Sequence, residues 1–286
     1  MFAPHILFPV DFSERSRAVR HCVVSMAQHF RAKISLIHAA HIPLVWYGVE
    51  LSPAMFDVGA FIEDATDRLA GFLETTDEKL EINPVVIEGD PAECVVNFAE
   101  QHGVGMIMMP THGYGRFRSL LLGSVTTKVL HDAKCAVWTS AHTEDPRLAC
   151  RGGFKNVLCA VDLAPESAGV ICYAARFARS FGAQLHLVHA VSFAETQAQS
   201  FPEYDCSQGL FEMSRAAIAE RQKEAGTDAP VFLDIGSAAN VVRTAAREFE
   251  ADLVIIGRGK MHETLGRLRS NAYAIIRDSP CPVISA

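Results

Sequence analysis

The stretch HILFPVDFSERSRAVRHCVVSMAQHFRAKISLIHAA, His5–Ala40, reads as strand, helix, strand, and the chain spells a second version of it as NVLCAVDLAPESAGVICYAARFARSFGAQLHLVHAV, Asn156–Val191. The copies align at a constant offset, with Asp11 facing Asp162, Ala27 facing Ala178 and His38 facing His189. In the first copy ILFPV is a short continuous apolar run that ends in Asp11. SERSRAVRHCVVSMAQHF then carries Ala18, Cys22, Val23 and Met26 at helical spacing, and KISLIHA returns to a strand. A repeat of this size makes each copy the start of one structural unit.

Outward from this stretch the pattern continues. Ser52–Leu80 reads as a helix, PVVIE as a strand, PAECVVNFAEQH as a helix with Pro91 in its first turn, and GMIMMP as a strand. Ser124–His131 gives the last helix and CAVWTS the last strand. The second half repeats the order through AQLHLVHA, PVFLDIG, ADLVIIG and CPVIS. Near-continuous apolar strands alternating with helices require a parallel sheet covered on both faces and joined by right-handed crossovers. The expected fold is α/β, with two tandem doubly wound domains, each a five-stranded parallel-type sheet with about four helices. The expected boundaries are residues 1–142, a linker at 143–152 that contains EDPRLACRG, and residues 153–286.

Composition agrees with two globular domains. The chain has 286 residues, 49% of them hydrophobic, against about 150 residues for one domain. Its 33 acidic and 26 basic residues are spread along the chain, without a basic block of the kind nucleic acid requires. The opening MFAPHILFPVDFSE has no basic region before a short apolar run, and no later segment has the length of a membrane span, so a cytoplasmic location is expected. Eight cysteines are scattered without a CxxC pair, as expected of buried small side chains; Cys150 in the linker and Cys206 in a loop are the candidates for a reactive thiol. No HExxH is present, and His262-Glu263 lacks the second histidine of a zinc helix, so no metal site is expected.

Ligands of open parallel sheets gather outside the carboxyl ends of the strands, where the winding direction reverses. In the first unit those ends carry Val10 and Asp11, His38 and Ala39, Gly89 and Asp90, and the loop beginning at Pro110. Gly113 permits a positive φ or a close approach of backbone to ligand, and Gly123-Ser124 opens a helix whose free N–H groups favour an anion. Ser124, Val125 and Thr126 offer N–H groups, Ser124 and Thr126 hydroxyls, and Arg116, Arg118 and Lys128 charge. A bland reading stands beside this one: Gly-Ser is an ordinary helix cap, Asp11 caps the helix that starts near Ser13, and His38 and His112 are packing histidines. Trp46 and Tyr47 either cover a ligand or partner or pack under the long helix.

The order of elements, FPVDFSE at the first strand, GDPAE before the third helix and PTHGYGRFRSLLLGSV before the fourth resemble the universal stress proteins, in their long form with two fused domains. Members that bind ATP carry G-x2-G-x9-G-[S/T], and Gly113, the nine residues Tyr114–Leu122, Gly123 and Ser124 match its larger part. Pro110 stands at the first glycine, where it keeps a carbonyl but has no N–H. The resemblance implies that Val10 and Ala39 flank an adenine, Asp11 holds the ribose, Pro110 lies beside it, and Gly113, Gly123, Ser124 and Val125 hold the phosphates of ATP, which magnesium commonly accompanies. In the second unit Arg269 faces Gly123, so Asp162, Gly257 and Ser270 are expected to be vestiges or a weaker site of different shape.

Three functions remain open on the sequence. The first is an ATP-binding regulator of the stress response that works by a conformational or association change. The second is an ATP-consuming enzyme, at most a slow ATPase, since no catalytic residue is indicated and there is no Walker A lysine loop, kinase glycine-rich signature or SGGxDS motif. The third is a nucleotide-free interaction module. Single-domain members of the family pair through their last strands, which implies an intramolecular pseudo-dimer of CAVWTS and CPVIS and leaves a further homodimer open.

Overall fold

In the computed structural model, residues 3–40, 45–46, 49–50, 58–73, 79–113, 122–140, 153–191, 206–258 and 267–286 are described. The chain forms two compact units, Met1–Trp138 and Thr139–Ala286. The first runs β1 (His5–Pro9), α1 (Glu14–Phe30), β2 (Lys33–Ala40), β3 (Val45–Trp46), β4 (Val49–Glu50), α2 (Val58–Ala70), β5 (Ile82–Glu88), α3 (Pro91–Gln101), β6 (Met106–Met109), α4 (Ser124–Asp132) and β7 (Ala136–Thr139). The second runs β8 (Asn156–Ala160), α5 (Ser167–Phe181), β9 (Gln184–Val191), α6 (Cys206–Ala225), β10 (Val231–Ile235), α7 (Ala238–Glu248), β11 (Leu253–Ile256), α8 (Arg267–Asp278) and β12 (Val283–Ser285).

The strand order β7-β6-β1-β2-β5 of the first unit recurs as β12-β11-β8-β9-β10 in the second. Parallel ladders join β1 to β2 and β6, β2 to β5, β8 to β9 and β11, β9 to β10, and β11 to β12. This is the tandem doubly wound α/β fold that the sequence implies. Central strands have side chains buried on both faces: Ile6, Leu7 and Phe8 of β1 are fully buried, as are Val157, Leu158 and Cys159 of β8. Each such aliphatic or aromatic side chain contributes about 1.5–3 kcal/mol of hydrophobic stabilisation. The outer strand β5 tolerates Pro84, opposite Leu36, because an edge needs no donor on its open side.

Helix ends follow local chemistry. Ser13 caps α1 by accepting from the Ser16 N–H, and Asp90 caps α3 by accepting from the Glu93 N–H, with Pro91 in the first turn. Helix α1 ends on Arg31 at φ 52°, where the second unit places Gly182 at φ 65°, a residue free of the Cβ clash in this region. Helix α2 is shorter than the expected Ser52–Leu80, since the Phe72 N–H turns back to the Leu69 carbonyl just beyond Gly71. The antiparallel pair β3–β4 was not expected, and it holds Trp46, whose side chain, like all of Tyr47, is outside the described residues.

Among the described residues no helix is long and apolar enough to cross a membrane. Cys22, Cys159 and Cys281 are buried. Burial pushes the Cys159 thiol up to about 12 and raises that of Cys94, the opposite of what a reactive thiol needs. Cys150 and the side chain of Cys206 lie outside the described residues, as does the expected linker at 143–152.

Candidate functional site

From β1 the first unit winds outward through β2 to β5, then returns to place β6 on the other side of β1. The winding reverses between β1 and β6, so their carboxyl ends open a crevice. Pro9, Val10 and Asp11 leave β1 there, and Pro110 to Gly113 leave β6.

Asp11 occupies this crevice and is half-buried. Its Oδ1 accepts from the Ser13 N–H at 3.0 Å and from the Ser16 hydroxyl at 2.5 Å, which ties the carboxylate to the cap of α1. Its Oδ2 has no partner among the described residues and faces Gly113: a Cβ on Gly113 would stand 2.1 Å from it. The glycine is therefore needed for close approach to Asp11. Of the two roles open to Gly113, a positive φ is not the one used. Both readings of Asp11 have a share of the carboxylate, since one oxygen supports the helix cap and the other lies in the crevice.

The loop that leaves β6 is pinned where it returns. The Gly123 N–H donates to the Thr111 carbonyl at 2.9 Å, and the Thr126 hydroxyl donates to the Pro110 carbonyl at 3.2 Å. Gly123 is itself the cap residue of α4, at φ −60° and ψ 148°, and brings no side-chain acceptor to the first turn. The leading N–H groups of α4, from exposed Ser124 and half-buried Val125, are thus available to solvent or an anion. A Cβ at Gly123 would meet the Thr111 carbonyl oxygen at 3.3 Å and the His112 Cα at 3.5 Å, both backbone atoms.

Two expected phosphate partners are used elsewhere. Lys128 reaches Glu93 at 2.8 Å and Asp90 at 3.2 Å, which raises its own pKa. The Glu93 N–H, aided by Lys128, holds the Asp90 carboxyl below the usual carboxylate value. The Thr126 hydroxyl is directed to Pro110, as above. Arg116 and Arg118 lie outside the described residues.

Val10 is buried, its N–H bonded to the Ile37 carbonyl at 2.8 Å, and Ala39 is half-buried opposite Ile87 of β5. The Val10 carbonyl accepts from His38 Nδ1 at 2.7 Å. Next to Asp11, Phe12 takes φ 61°, unusual for an aromatic residue and costing about 1–2 kcal/mol. Its ring packs on His38 at 4.6 Å and on Phe72 at 5.8 Å, with the Arg68 guanidinium 4.2 Å from its centre. The site grouping taken from the sequence omits Phe12 and His38. The pairing of His38 with His189 was the available signal. His112 is buried and bonded to the Thr111 hydroxyl, a packing role.

The second unit keeps the aspartate's two bonds to its helix cap and changes what surrounds them. Asp162 is exposed, and its Oδ1 accepts from the Ala164 N–H at 3.1 Å and from the Ser167 hydroxyl. Gly257 faces Val170 of α5, whose methyl would be 2.8 Å from an added Cβ. Helix α8 already runs from Arg267, so Ser270 lies a turn inside it, whereas Ser124 begins α4. Its N–H is therefore beyond the free first turn that an anion would use. The residues Asp162, Gly257 and Ser270 do not reproduce the arrangement at Asp11, Gly113 and Ser124.

A family model described as the universal stress protein family matches residues 3–140 and again 153–285. A universal stress protein of Methanocaldococcus jannaschii is 28% identical over 134 residues, which cover 46% of this chain and 78% of that protein. The universal stress protein YxiE of Bacillus subtilis is 24% identical over 141 residues, 46% of this chain and 95% of its own. The crystal structure of a universal stress protein from Archaeoglobus fulgidus has a TM-score of 0.69 at 21% identity, with 99% of this chain and 95% of that chain covered, a likeness of fold.

Proposed function

Because the chain belongs to the universal stress protein family through both of its halves, we propose that its first unit binds an adenine nucleotide and acts as a regulator of the stress response. The observation that carries this reading is the meeting, at the winding reversal, of the Asp11 carboxylate, a Gly113 without room for a side chain, and an α4 whose first turn has no side-chain cap. In this reading Val10 and Ala39 flank the base, Asp11 Oδ2 accepts from a ribose hydroxyl beside Pro110, and Gly113, Gly123, Ser124 and Val125 hold the phosphates. Magnesium would arrive with the phosphates. Among the described residues no group of three or more His, Cys, Asp or Glu side chains is placed to hold a metal by itself.

The reading asks for no covalent step. A nucleotide that prefers one conformation or association state shifts the population towards it by its difference in affinity. Two family domains in tandem fit an intramolecular pair, within which such a shift can act. A second reading, a nucleotide-free interaction module, draws on the Asp11 Oδ1 bonds to Ser13 and Ser16, which give that carboxylate a purely structural use.

Isothermal titration of the full chain with ATP and magnesium separates the two. The nucleotide reading expects saturation near one ATP per chain, abolished by Gly123→Arg, which copies Arg269 and drives a side chain towards the Thr111 and His112 backbone. No binding to the folded wild type favours the interaction module.

A further inference from the structure

His38 grips the chain on both sides of Asp11. Its Nδ1 donates to the carbonyl of Val10, the residue before, at 2.7 Å, and its ring packs on Phe12, the residue after, at 4.6 Å. Arg68 of α2 closes over the same Phe12 ring at 4.2 Å. A donor at Nδ1 fixes both the tautomer and the plane of the imidazole, so the ring is a rigid brace between the ends of β1 and β2.

The second unit supplies an internal control. His189 Nδ1 makes the equivalent bond to the Val161 carbonyl at 2.9 Å. There the residue after the aspartate is Leu163, 36% exposed, and φ is not positive. One hold is kept and the other is lost, and Asp162 is exposed where Asp11 is half-buried. The difference between the aspartates follows the presence of the ring contact rather than the histidine alone.

We propose that His38 is a positioning residue for the nucleotide site: by holding Val10 and Phe12 it sets the Asp11 carboxylate where a ribose hydroxyl can donate to it. This inference rests on the nucleotide reading of the first unit and goes beyond it by naming the group that holds the ribose acceptor in place. His38 touches no nucleotide in this account. Its effect passes through Asp11, and so depends on the ligand having ribose hydroxyls.

The test is a cycle of two ligands against three proteins, read by isothermal titration of the full chain. ATP and 2′,3′-dideoxy-ATP, each with magnesium, are titrated into the wild type, His38→Leu and His38→Asn, with circular dichroism to establish folding. For His38→Leu the expected result is an affinity about tenfold lower for ATP and nearly unchanged for the dideoxy compound, the size of one hydrogen bond lost. His38→Asn, which keeps an N–H near the place of Nδ1, should bind ATP within about threefold of wild type. If His38→Leu does not fold, His38→Gln, whose donor lies too far out, takes its place with the same expectation. Equal losses for both ligands would overturn the proposal by showing general support of the fold. An unchanged ATP affinity in His38→Leu would overturn it while leaving the nucleotide reading intact. A wild type that binds neither ligand would overturn both.

Discussion

In the first unit the Asp11 carboxylate lies between the cap of α1 and the backbone of Gly113, half-buried, with Phe12 folded over towards His38. In the second, Asp162 keeps the equivalent Oδ1 bonds to Ala164 and Ser167 but is exposed, and Gly257 faces Val170 of α5 instead of the aspartate. The strand order is the same in both. What differs is the crevice that this order creates: in one copy the glycine after the fourth strand stands against the aspartate, ahead of a helix with no side-chain cap, and in the other it stands against Val170. The fold supplies the place, and a few side chains decide whether it is a site.

The largest test of this contrast lies in the two glycines. Gly113→Ala would place a methyl against Asp11 Oδ2, and its neighbour is anchored by two hydrogen bonds. We expect a loss of about 1–3 kcal/mol in chemical denaturation, as for other overpacked sites, and loss of ATP binding in titration. Gly257→Ala meets only a valine methyl, so a smaller loss and no change in ATP affinity are expected. Equal effects of the two changes on ATP binding would break the comparison.

Next come the aspartates. Asp11→Ala removes two bonds to a partly buried carboxylate and should cost about 1.5–3 kcal/mol, together with at least tenfold in ATP affinity by roughly the same hydrogen-bond arithmetic. Asp162→Ala, at an exposed position, should cost about 1 kcal/mol or less and leave ATP binding alone. Urea denaturation and titration of both variants would sharpen the contrast, or remove it if Asp162→Ala also weakened ATP.

The smallest effect concerns a feature that the units share. His5 is buried, bonded to the Ser35 hydroxyl at 2.9 Å, and faces Phe98; in the second unit His186, at the place of Ser35, stacks at 4.3 Å on Phe249, the counterpart of Phe98. Burial lowers both pKa values below the ordinary 6.5; at His5, Lys33 and His102 add to the lowering while the His102 carbonyl and Glu81 oppose it. The unfolded chain therefore takes up protons at a higher pH than the folded one. The stabilisation is complete above pH 6.5 and is lost as pH falls below it towards the lowered folded values. His5→Asn, which copies Asn156, should flatten the first unit's share of this dependence when melting is followed between neutral and mildly acid pH. An unchanged pH slope would show that His5 is not its source.

Much of the fold was legible because it rests on repeated local signals: apolar runs at β1 and β8, helical spacing after Asp11 and Asp162, and Pro91 behind Asp90. The glycine and aspartate positions were legible as well, but not their use. Gly113 was readable as a site of close approach, while the group it approaches, Asp11, is distant in sequence and adjacent only after β6 is laid beside β1. Lys128 looked available because its partners Asp90 and Glu93 belong to another helix, brought near by packing of α3 on α4. The grip of His38 on Phe12 needs a backbone conformation at Phe12 that no propensity favours. The β3–β4 pair is too short to announce itself by alternation.

The central claim is that the first unit holds the nucleotide and the second does not. Amide hydrogen exchange with and without saturating ATP and magnesium tests this most directly, since it reads both crevices in one experiment. The account predicts slowed exchange at Gly113 and at Gly123 to Val125, with no change at Asp162 to Ala164 or at the start of α8. Equal protection in the second unit, or protection there alone, would contradict it.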